Sequence, residues 1–261
     1  GCQILIADGL KGTDETLVAL EGPHIKHVTE AKIGTAIMDA DIFVSLTHFK
    51  GHESTGFGGT LKNIGMGCGS RAGKMEMHYS GKPEVNQDNC VACASCYRNC
   101  AHGAISFPNK KAFIDTDKCV GCGRCIGSCN YDAIHPIDGN SNVILNERIA
   151  EYSLAVVQNR PHFHVSIIQD VSPYCDCHAE NDAPIVPNIG MLASFDPVAL
   201  DQASADLVNR AKPLADTVLS ESPDLYHDHF KNIFPETDWQ SCLDHAEAIG
   251  LGSRQYDLVE I

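Results

Sequence analysis

The chain of 261 residues lacks any apolar run that approaches the about 18 residues needed to span a membrane. It also has no basic segment at its start of the kind that opens a secretory signal peptide. These two absences predict a cytoplasmic protein with no membrane span. An initiator methionine is missing as well, so we expect an N-terminal portion to lie outside this chain and its first element to lack neighbours.

Basic residues are scarce: 19 Lys and Arg stand against 34 Asp and Glu, for a formal net charge of −15. Nucleic acid and anionic membranes are therefore poor partners, because binding to either depends on clustered Lys and Arg, and we expect no nucleic acid to bind. A partner with a basic docking patch suits the charge better. Phosphate-binding glycine motifs are absent too, since the seven glycines from Gly51 to Gly69 fit neither G-x-G-x-x-G nor G-x-x-x-x-G-K-[ST].

Cysteine, in contrast, is abundant, and eight of the 13 cysteines fall in two identical runs. Each run reads C-x2-C-x2-C-x3-C, the spacing typical of bacterial two-cluster ferredoxins. Two residues between cysteines let one tight loop aim three thiolates at a single cubane, and the fourth thiolate must come from elsewhere. The runs form an internal repeat with an offset of 29 residues, which also relates Ala104-Ile105 to Ala133-Ile134.

The resemblance to two-cluster ferredoxins implies that each run completes the cluster of the other. One expected feature is missing: the proline after the fourth cysteine is replaced by Ala101 and Asn130, which puts only the local turn in question. The crossed rule gives two 4Fe4S clusters with these ligands: Cys90, Cys93, Cys96 and Cys129 for cluster I, and Cys119, Cys122, Cys125 and Cys100 for cluster II.

The runs allow two other interpretations. Paired C-x2-C knuckles also bind structural zinc, and eight cysteines would fill two tetrahedral sites. Zinc knuckles come as separated pairs, however, whereas three evenly spaced cysteines followed by a fourth are typical of a cubane. Disulfide frameworks belong to small secreted domains with little core, and this chain is neither small nor poor in core.

The remainder of the chain predicts an α/β fold with a mainly parallel sheet and flanking helices. A strand over 3–7, a helix over 31–40 and a strand over 41–46 form a βαβ pattern. Further strands are expected over 164–168, 185–189 and 256–261. The helices are expected over 146–159, 196–210 and 239–249, the second with Asp196 as its N-cap and Pro197 at its first position.

The cysteine runs are predicted to lie in an inserted α+β ferredoxin-like module. We place this module at residues 83–137 and a discontinuous α/β host domain at 1–82 and 138–261. Between the runs, residues 105–114 are expected to form a hairpin around a Pro-Asn turn.

Two loops of the host follow predicted strands and carry side chains that bind metals. Ligands of parallel sheets lie beyond the carboxyl ends of the strands, so both loops are expected at one edge. Two thiols at C-x-C spacing can chelate a soft metal or form a reducible pair, or they can be ordinary structural thiols. A third metal or redox site would draw on these residues: Cys68, Cys175, Cys177, His48, His52 and His178.

Four motifs outside the repeat resemble those of a family of iron–sulfur centre proteins of unknown function. They are H-F-K-G-H at 48–52, F-G-G-x-L-K-N-I-G-M-G-C at 57–68, D-V-S-P-Y-C-D-C at 170–177 and S-F-D-P-V-A-L-D at 194–201. The resemblance covers nearly the whole chain and implies an α/β host with an inserted two-cluster ferredoxin module. The resemblance does not identify a substrate.

Two functions remain open at this stage. In the first, the protein carries single electrons between its clusters and a redox partner protein. In the second, it is an oxidoreductase whose clusters feed a site formed by the His48–Cys68 and Cys175–His178 loops. The carrier is the leading hypothesis, because no flavin, nucleotide or acid–base motif identifies a reaction.

Overall fold

A computed structural model of the protein describes residues 2–78, 83–100, 102–119, 124–136, 142–177 and 182–261. The strands are β1 (Glu15–Ala19), β2 (Glu30–Gly34), β3 (Phe43–His48), β4 (Lys50–His52), β5 (Gly56–Gly58), β6 (Pro83–Val85), β7 (Ile105–Ser106), β8 (Phe113–Ile114), β9 (Ile134–Pro136), β10 (His162–Ile168) and β11 (Gly190–Ser194). The helices are α1 (Thr35–Met38), α2 (Thr60–Cys68), α3 (Arg71–His78), α4 (Ser95–Asn99), α5 (Arg124–Gly127), α6 (Asn142–Val157), α7 (Pro197–Arg210), α8 (Val218–Glu221), α9 (His229–Ile233) and α10 (Gln240–Ala248). The fold is mixed α/β with several small sheets.

The largest sheet has the order β11-β10-β3, with β3 parallel and β11 antiparallel to β10. Its inner face carries small or polar side chains, such as Ser45, Thr47 and Ser166, which are buried under α2 and α7. Val44 and Leu46 alternate with them along β3 and are exposed on the outer face. The alternation is that of a strand with two different faces.

The prediction of a mainly parallel sheet is wrong, because β3 with β10 is the one parallel pair among the described strands. Residues 3–7 form no strand, and Ile4, Leu5 and Ile6 are exposed. Of the helix expected over 31–40, residues 31–34 belong to strand β2, which pairs antiparallel with β1, and residues 35–38 form the short helix α1. Ala and Lys favour helix in isolation, but burial of alternate residues, Ala31 and Ile33, outweighs that weak preference.

Two further predicted strands are also wrong. The segment 185–189 is irregular because Pro187 interrupts it and cannot donate to a ladder, and pairing with β10 begins only at Ile189 and continues in β11. The terminal segment 256–261, all of it described, forms no strand and is mostly exposed.

Other local predictions are confirmed. The carboxylate of Asp196 accepts hydrogen bonds from the backbone N–H groups of Val198 and Ala199, so α7 begins with an N-cap and a proline. The hairpin expected between the cysteine runs is present as antiparallel β7 and β8. The bounds of helix α10 differ from the predicted ones by one residue at each end, and those of α6 by four and two residues.

The main core forms where α2 packs against α6, with Ile64, Ile149 and Val156 fully buried. Gly65 lies at the closest approach of the two helices. A Cβ atom at this position would be 2.4 Å from the carbonyl oxygen of Ile149, and backbone cannot move aside as a flexible side chain can. Glycine therefore sets the distance between α2 and α6.

We expect Gly65→Ala to lower the free energy of unfolding by about 1–3 kcal/mol, because the methyl group forces the helices apart. Gly67 in the same helix is a matched control: it is exposed, and its Cβ would only touch Asn63 at 3.4 Å. Gly67→Ala should raise stability by up to about 1 kcal/mol, since alanine favours helix. Urea unfolding of the two variants measures both effects, and a loss of stability in Gly67→Ala or none in Gly65→Ala would contradict this packing.

Candidate functional site: a cysteine region and a thiol site

Residues 83–136, here called the cysteine region, form a second apolar cluster separate from the main core. Its buried members include Cys90, Cys96 and Cys125 together with Ile105 and Ile134. Two antiparallel strand pairs frame it, β6 with β9 and β7 with β8. Helices α4 and α5 contact each other and begin 29 residues apart. The sequence repeat is therefore also a structural repeat in the described part of the region.

The two halves of the repeat are interlocked. Each strand pair combines one strand from each half, and the connecting hydrogen bonds obey the same offset. The Asn86 N–H donates to the carbonyl of Ala133 and the Asp115 N–H to that of Ala104, both at 2.8 Å. Each half consequently positions residues next to the cysteines of the other half.

A cavity lies within the cysteine region. Its walls include three thiols of one run, Cys90, Cys93 and Cys96, and a fourth thiol, Cys129, from the end of the other run. Phe107 and other apolar residues complete the lining. Three thiols from one loop and one from a distant position are the donor set that a cubane cluster takes.

The loop of the first run adopts an unusual backbone around this cavity. Ala92 and Ala94 have φ values of 58° and 61°, in the left-handed region that costs an L-residue about 1 kcal/mol or more. The residues 29 positions further on are Gly121 and Gly123, which enter that region without cost. These two glycines lie outside the described residues, but the residue types are those that a repeat of the same loop would need.

Backbone N–H groups point at sulfur atoms in both halves. Ala104 donates to the Sγ of Cys100 and Ala133 to that of Cys129, each at 3.4 Å, and Ala112 donates to the Sγ of Cys90 at the same distance. Hydrogen bonds of this kind stabilise thiolates and adjust the reduction potential of a bound cluster.

The electrostatics of the cavity favour a bound cation. Burial raises the pKa of the Cys96 thiol, and the neighbouring Cys93 and Cys90 raise it further. Four thiolates would therefore repel one another unless metal ions compensate their charge. Of the other predicted ligands, Cys125 is buried in the same apolar cluster, Cys100 and Cys119 pack against it, and Cys122 lies outside the described residues.

The second site lies at the carboxyl ends of the parallel strands β3 and β10. The segment after β3 remains hydrogen-bonded to the end of β10 and to the loop that follows it. The Phe49 N–H donates to the carbonyl of Ile167 at 2.9 Å, and the Gly51 N–H donates to the carbonyl of Ser172 at 2.8 Å. Gly51 allows this approach, since a Cβ there would lie 2.2 Å from the carbonyl oxygen of Pro173. The hairpin of β4 and β5 is thereby docked on the loop that carries Cys175.

This docking brings together a group that we call the thiol site, made of His52, Lys62, Cys175 and Cys177. An imidazole nitrogen of His52 and the two sulfur atoms all lie within 4.8 Å of one another, close enough to hold a metal ion. Lys62, in the first turn of α2, points its Nζ at the Sγ of Cys175 at 3.5 Å. His52 and Cys175 are buried, whereas Cys177 is exposed.

Other residues expected at this site lie elsewhere. Both ring nitrogens of His48 face acceptors at 2.8 Å, the carboxylate of Asp176 and the carbonyl of Gln169, so neither nitrogen offers a lone pair to a metal. Cys68 ends α2, about 9 Å along the helix from Lys62, and burial raises its pKa to about 11. His178 lies outside the described residues.

Asp176, between the two cysteines of the thiol site, is contacted by hydrogen-bond donors, one of which is positively charged. Desolvation would raise the pKa of its carboxyl, but the hydrogen bond from His48 and the charge of Lys50 lower it. Lys50 lies 3.3 Å from the same carboxylate and also binds the carbonyl of His48. His48 and Lys50 therefore anchor the residue between the two cysteines.

Sequence reasoning missed Asp201, which positions Lys62. The buried carboxylate of Asp201 accepts from the N–H groups of Thr60 at 2.6 Å and Leu61 at 2.8 Å, so it holds the start of α2. Gly59 leaves space for it, since a Cβ there would be 2.4 Å from the Asp201 carboxylate. Burial raises the pKa of Asp201 to about 6. The final Asp of the S-F-D-P-V-A-L-D motif was the available signal.

Of the helices in the described part of the chain, none combines the length and the apolar character that crossing a membrane takes.

Comparison with known proteins adds one finding. A family model described as "Domain of unknown function (DUF362)" matches residues 1–206. The chain belongs to this family. The DUF362 match ends within α7 and includes the cysteine region and all four residues of the thiol site. No curated protein matches the chain. The many cysteines and the group around His52 are consistent with iron–sulfur or metal binding in this DUF362 protein.

Proposed function

We propose that this protein is an electron carrier with two 4Fe4S clusters in the cysteine region. The observation that supports this most strongly is that Cys129 lines the same cavity as Cys90, Cys93 and Cys96, which is the crossed donor set of two-cluster ferredoxins. The second cluster would be held by the related set, Cys119, Cys122, Cys125 and Cys100. When bound, each 4Fe4S cluster takes up and releases a single electron.

We also propose that the cysteine region belongs to an inserted ferredoxin-like module, residues 83–137, within a host formed by 1–82 and 138–261. Two observations support this division. The apolar cluster of the region includes no residue of the main core. In addition, its strands pair only with one another among the described strands, so the region supplies its own frame.

The residues of the chain have defined tasks in this proposal. Ala104, Ala112 and Ala133 donate N–H groups to thiolates and so stabilise the negative charge on sulfur. Lys111 fixes the first run, because its Nζ binds the carbonyl of Cys90 at 2.6 Å. Apolar side chains such as Phe107 and Ile134 line much of the remaining wall of the cavity.

Electrons would enter and leave at one edge of the cavity. Val91 and Cys93 line the cavity and are both exposed, whereas Cys90 and Cys96 are buried. A partner that docks over Val91 and Cys93 would come nearest to the bound cluster. The acidic net charge suits a basic patch on that partner.

Electron transfer to a basic acceptor tests the carrier function. The reduced protein should deliver about two electrons per chain to a basic cytochrome. The rate should fall at least about tenfold between about 0.01 M and about 1 M salt, because the Debye length falls from about 30 Å to about 3 Å. An acidic acceptor of equal driving force is the control and should show the opposite trend. Delivery of no electrons would contradict the carrier, and a flat salt dependence would contradict the basic patch.

A second candidate function is a reductase whose active site is the thiol site, fed by electrons from the cysteine region. The grouping of His52, Cys175 and Cys177 within 4.8 Å favours it. The double variant Cys175→Ser/Cys177→Ser separates the two functions. A carrier should deliver electrons to every acceptor at the wild-type rate after this change, whereas a reductase should lose the reduction of its own substrate and keep its iron.

A further inference from the structure

The two cysteines of the thiol site differ in their surroundings, although one residue separates them. Cys175 is 4% exposed, while Cys177 is open to solvent. Desolvation, and next the hydrogen bond with Cys175, raise the pKa of the Cys177 thiol to about 11. The two thiols share this hydrogen bond, and the Nζ of Lys62, at 3.5 Å from the Sγ of Cys175, supplies a positive charge next to the buried sulfur.

His52 presents an N–H group to this site. Its Nδ1 accepts hydrogen bonds from the backbone N–H groups of Ser54 at 3.0 Å and Thr55 at 3.2 Å. Backbone N–H groups can only donate, so Nδ1 carries no hydrogen and the neutral ring is protonated at Nε2. Nε2 lies 3.9 Å from a carboxylate oxygen of Glu53.

This tautomer disfavours a metal ion. A histidine that binds a metal through one nitrogen normally donates an N–H from the other. In His52 the other nitrogen, Nδ1, accepts hydrogen bonds instead. A metal bound through Nε2 would therefore require an imidazolate ring, which carries no proton on either nitrogen. Lys62 also disfavours a metal ion at this site. Its ammonium group, 3.5 Å from the Sγ of Cys175, compensates the charge of a thiolate and would repel a cation bound to the same sulfur.

We propose that Cys175 and Cys177 are a reversible dithiol–disulfide pair that exchanges with disulfide substrates. The exposed Cys177 is the sulfur that meets the substrate. The buried Cys175 is the resolving sulfur, and Lys62 stabilises it as a thiolate. This activity goes beyond electron carriage and does not depend on the iron–sulfur clusters.

The exchange can be written in two balanced steps for a substrate RS–SR. Cys177 passes its proton to Cys175 and attacks one substrate sulfur, so the RS–SR bond breaks, a Cys177–SR bond forms and one RS⁻ leaves. Cys175 then passes that proton to the departed thiolate and attacks the Sγ of Cys177, which releases the second RS⁻. Two electrons have moved from the pair to the substrate, and a small thiol reverses the sequence.

Two features of the fold serve this chemistry. Gly51 and Ser172 hold the loop against the β4–β5 hairpin, so that the thiols stay beside His52. Asp201 fixes the start of α2 and with it Lys62. Cys175 accepts the proton of Cys177 in the first step and attacks as a thiolate in the second, and Lys62 stabilises that thiolate, so Lys62 should govern the rate of exchange rather than the stability of the fold.

The experiment uses the 261-residue chain with Cys2→Ser, which removes another exposed thiol, and anaerobic incubation with glutathione disulfide. Peptide mass spectrometry after alkylation should find Cys175 joined to Cys177 by a disulfide, reversed by reduced glutathione. Cys175→Ser should stop at a mixed disulfide on Cys177. Lys62→Met should slow the reaction about tenfold, whereas the control Lys74→Met, beside Cys68, should not.

Three results would overturn the proposal. The first is that both cysteines of the folded protein remain alkylatable after glutathione disulfide. The second is a mixed disulfide that forms on Cys177 but is never resolved while Cys175 is intact. The third is that one zinc ion per chain binds wild-type protein, is lost in Cys175→Ser, and blocks the oxidation, which would make the group a metal site. Iron and sulfide counts on the same samples report on the clusters separately, so failure of the carrier function is distinguishable from failure of the pair.

Discussion

The double variant Cys93→Ala/Cys129→Ala is expected to retain about four irons per chain, whereas Cys93→Ala/Cys100→Ala should retain almost none. In the proposed arrangement Cys93 and Cys129 bind the same cluster, so replacing both cysteines removes no more iron than replacing one of them. Cys93 and Cys100 serve different clusters although they lie in the same run, so their joint loss removes both.

Iron and acid-labile sulfide counts on anaerobically purified protein measure this difference without any spectral assignment. If each run held its own cluster, the two results would be exchanged. Cys68→Ala is a suitable control, because Cys68 is half-buried in the main core and away from both runs, and it should leave the iron content unchanged. The comparison thus tests the interlocked halves seen in the strand pairing.

Removal of the clusters is expected to unfold the cysteine region and to leave the host folded. The apolar cluster of the region is small, and six of its members are cysteines: Cys90, Cys96, Cys100, Cys119, Cys125 and Cys129. A segment of this size has little core of its own, and cluster binding therefore supplies much of its folding free energy. Burial of thiolates without metal ions adds a further cost.

Hydrogen exchange after chelation of the iron measures this effect. Amides of β6, β7, β8 and β9 should lose protection by a factor of about 1000 or more, because local stability falls by several kcal/mol. Amides of α2 and α6 in the same sample are the internal control and should stay protected. Continued protection of the β6–β9 pair without iron would mean that the region folds on its own and that clusters are not part of its core.

The features that the sequence predicts correctly are those determined by residues close together in the chain. The cysteine spacing, the N-cap at Asp196 and the hairpin of β7 and β8 are set by residues a few positions apart, and sequence reasoning found them. Strand β2 was mistaken for helix because the burial of Ala31 and Ile33 depends on residues far along the chain. Propensity cannot report such contacts.

The thiol site also combines features that the sequence predicts with features that depend on contacts between distant residues. Strand-end loops were the right place to look, and His52, Cys175 and Cys177 do converge there. Yet Lys62 meets Cys175 across 113 residues, and only the parallel register of β3 and β10 brings them together. Cys68 and His48 carried equally plausible ligand atoms, but Cys68 lies toward the core and the ring of His48 is engaged on both sides.

Quantitative iron and sulfide analysis, combined with Mössbauer spectroscopy of anaerobically prepared wild-type protein, tests the central claim most directly. The proposed function predicts about eight irons and about eight sulfides per chain, all in 4Fe4S clusters, and no stoichiometric zinc. Two zinc ions per chain without sulfide would contradict it.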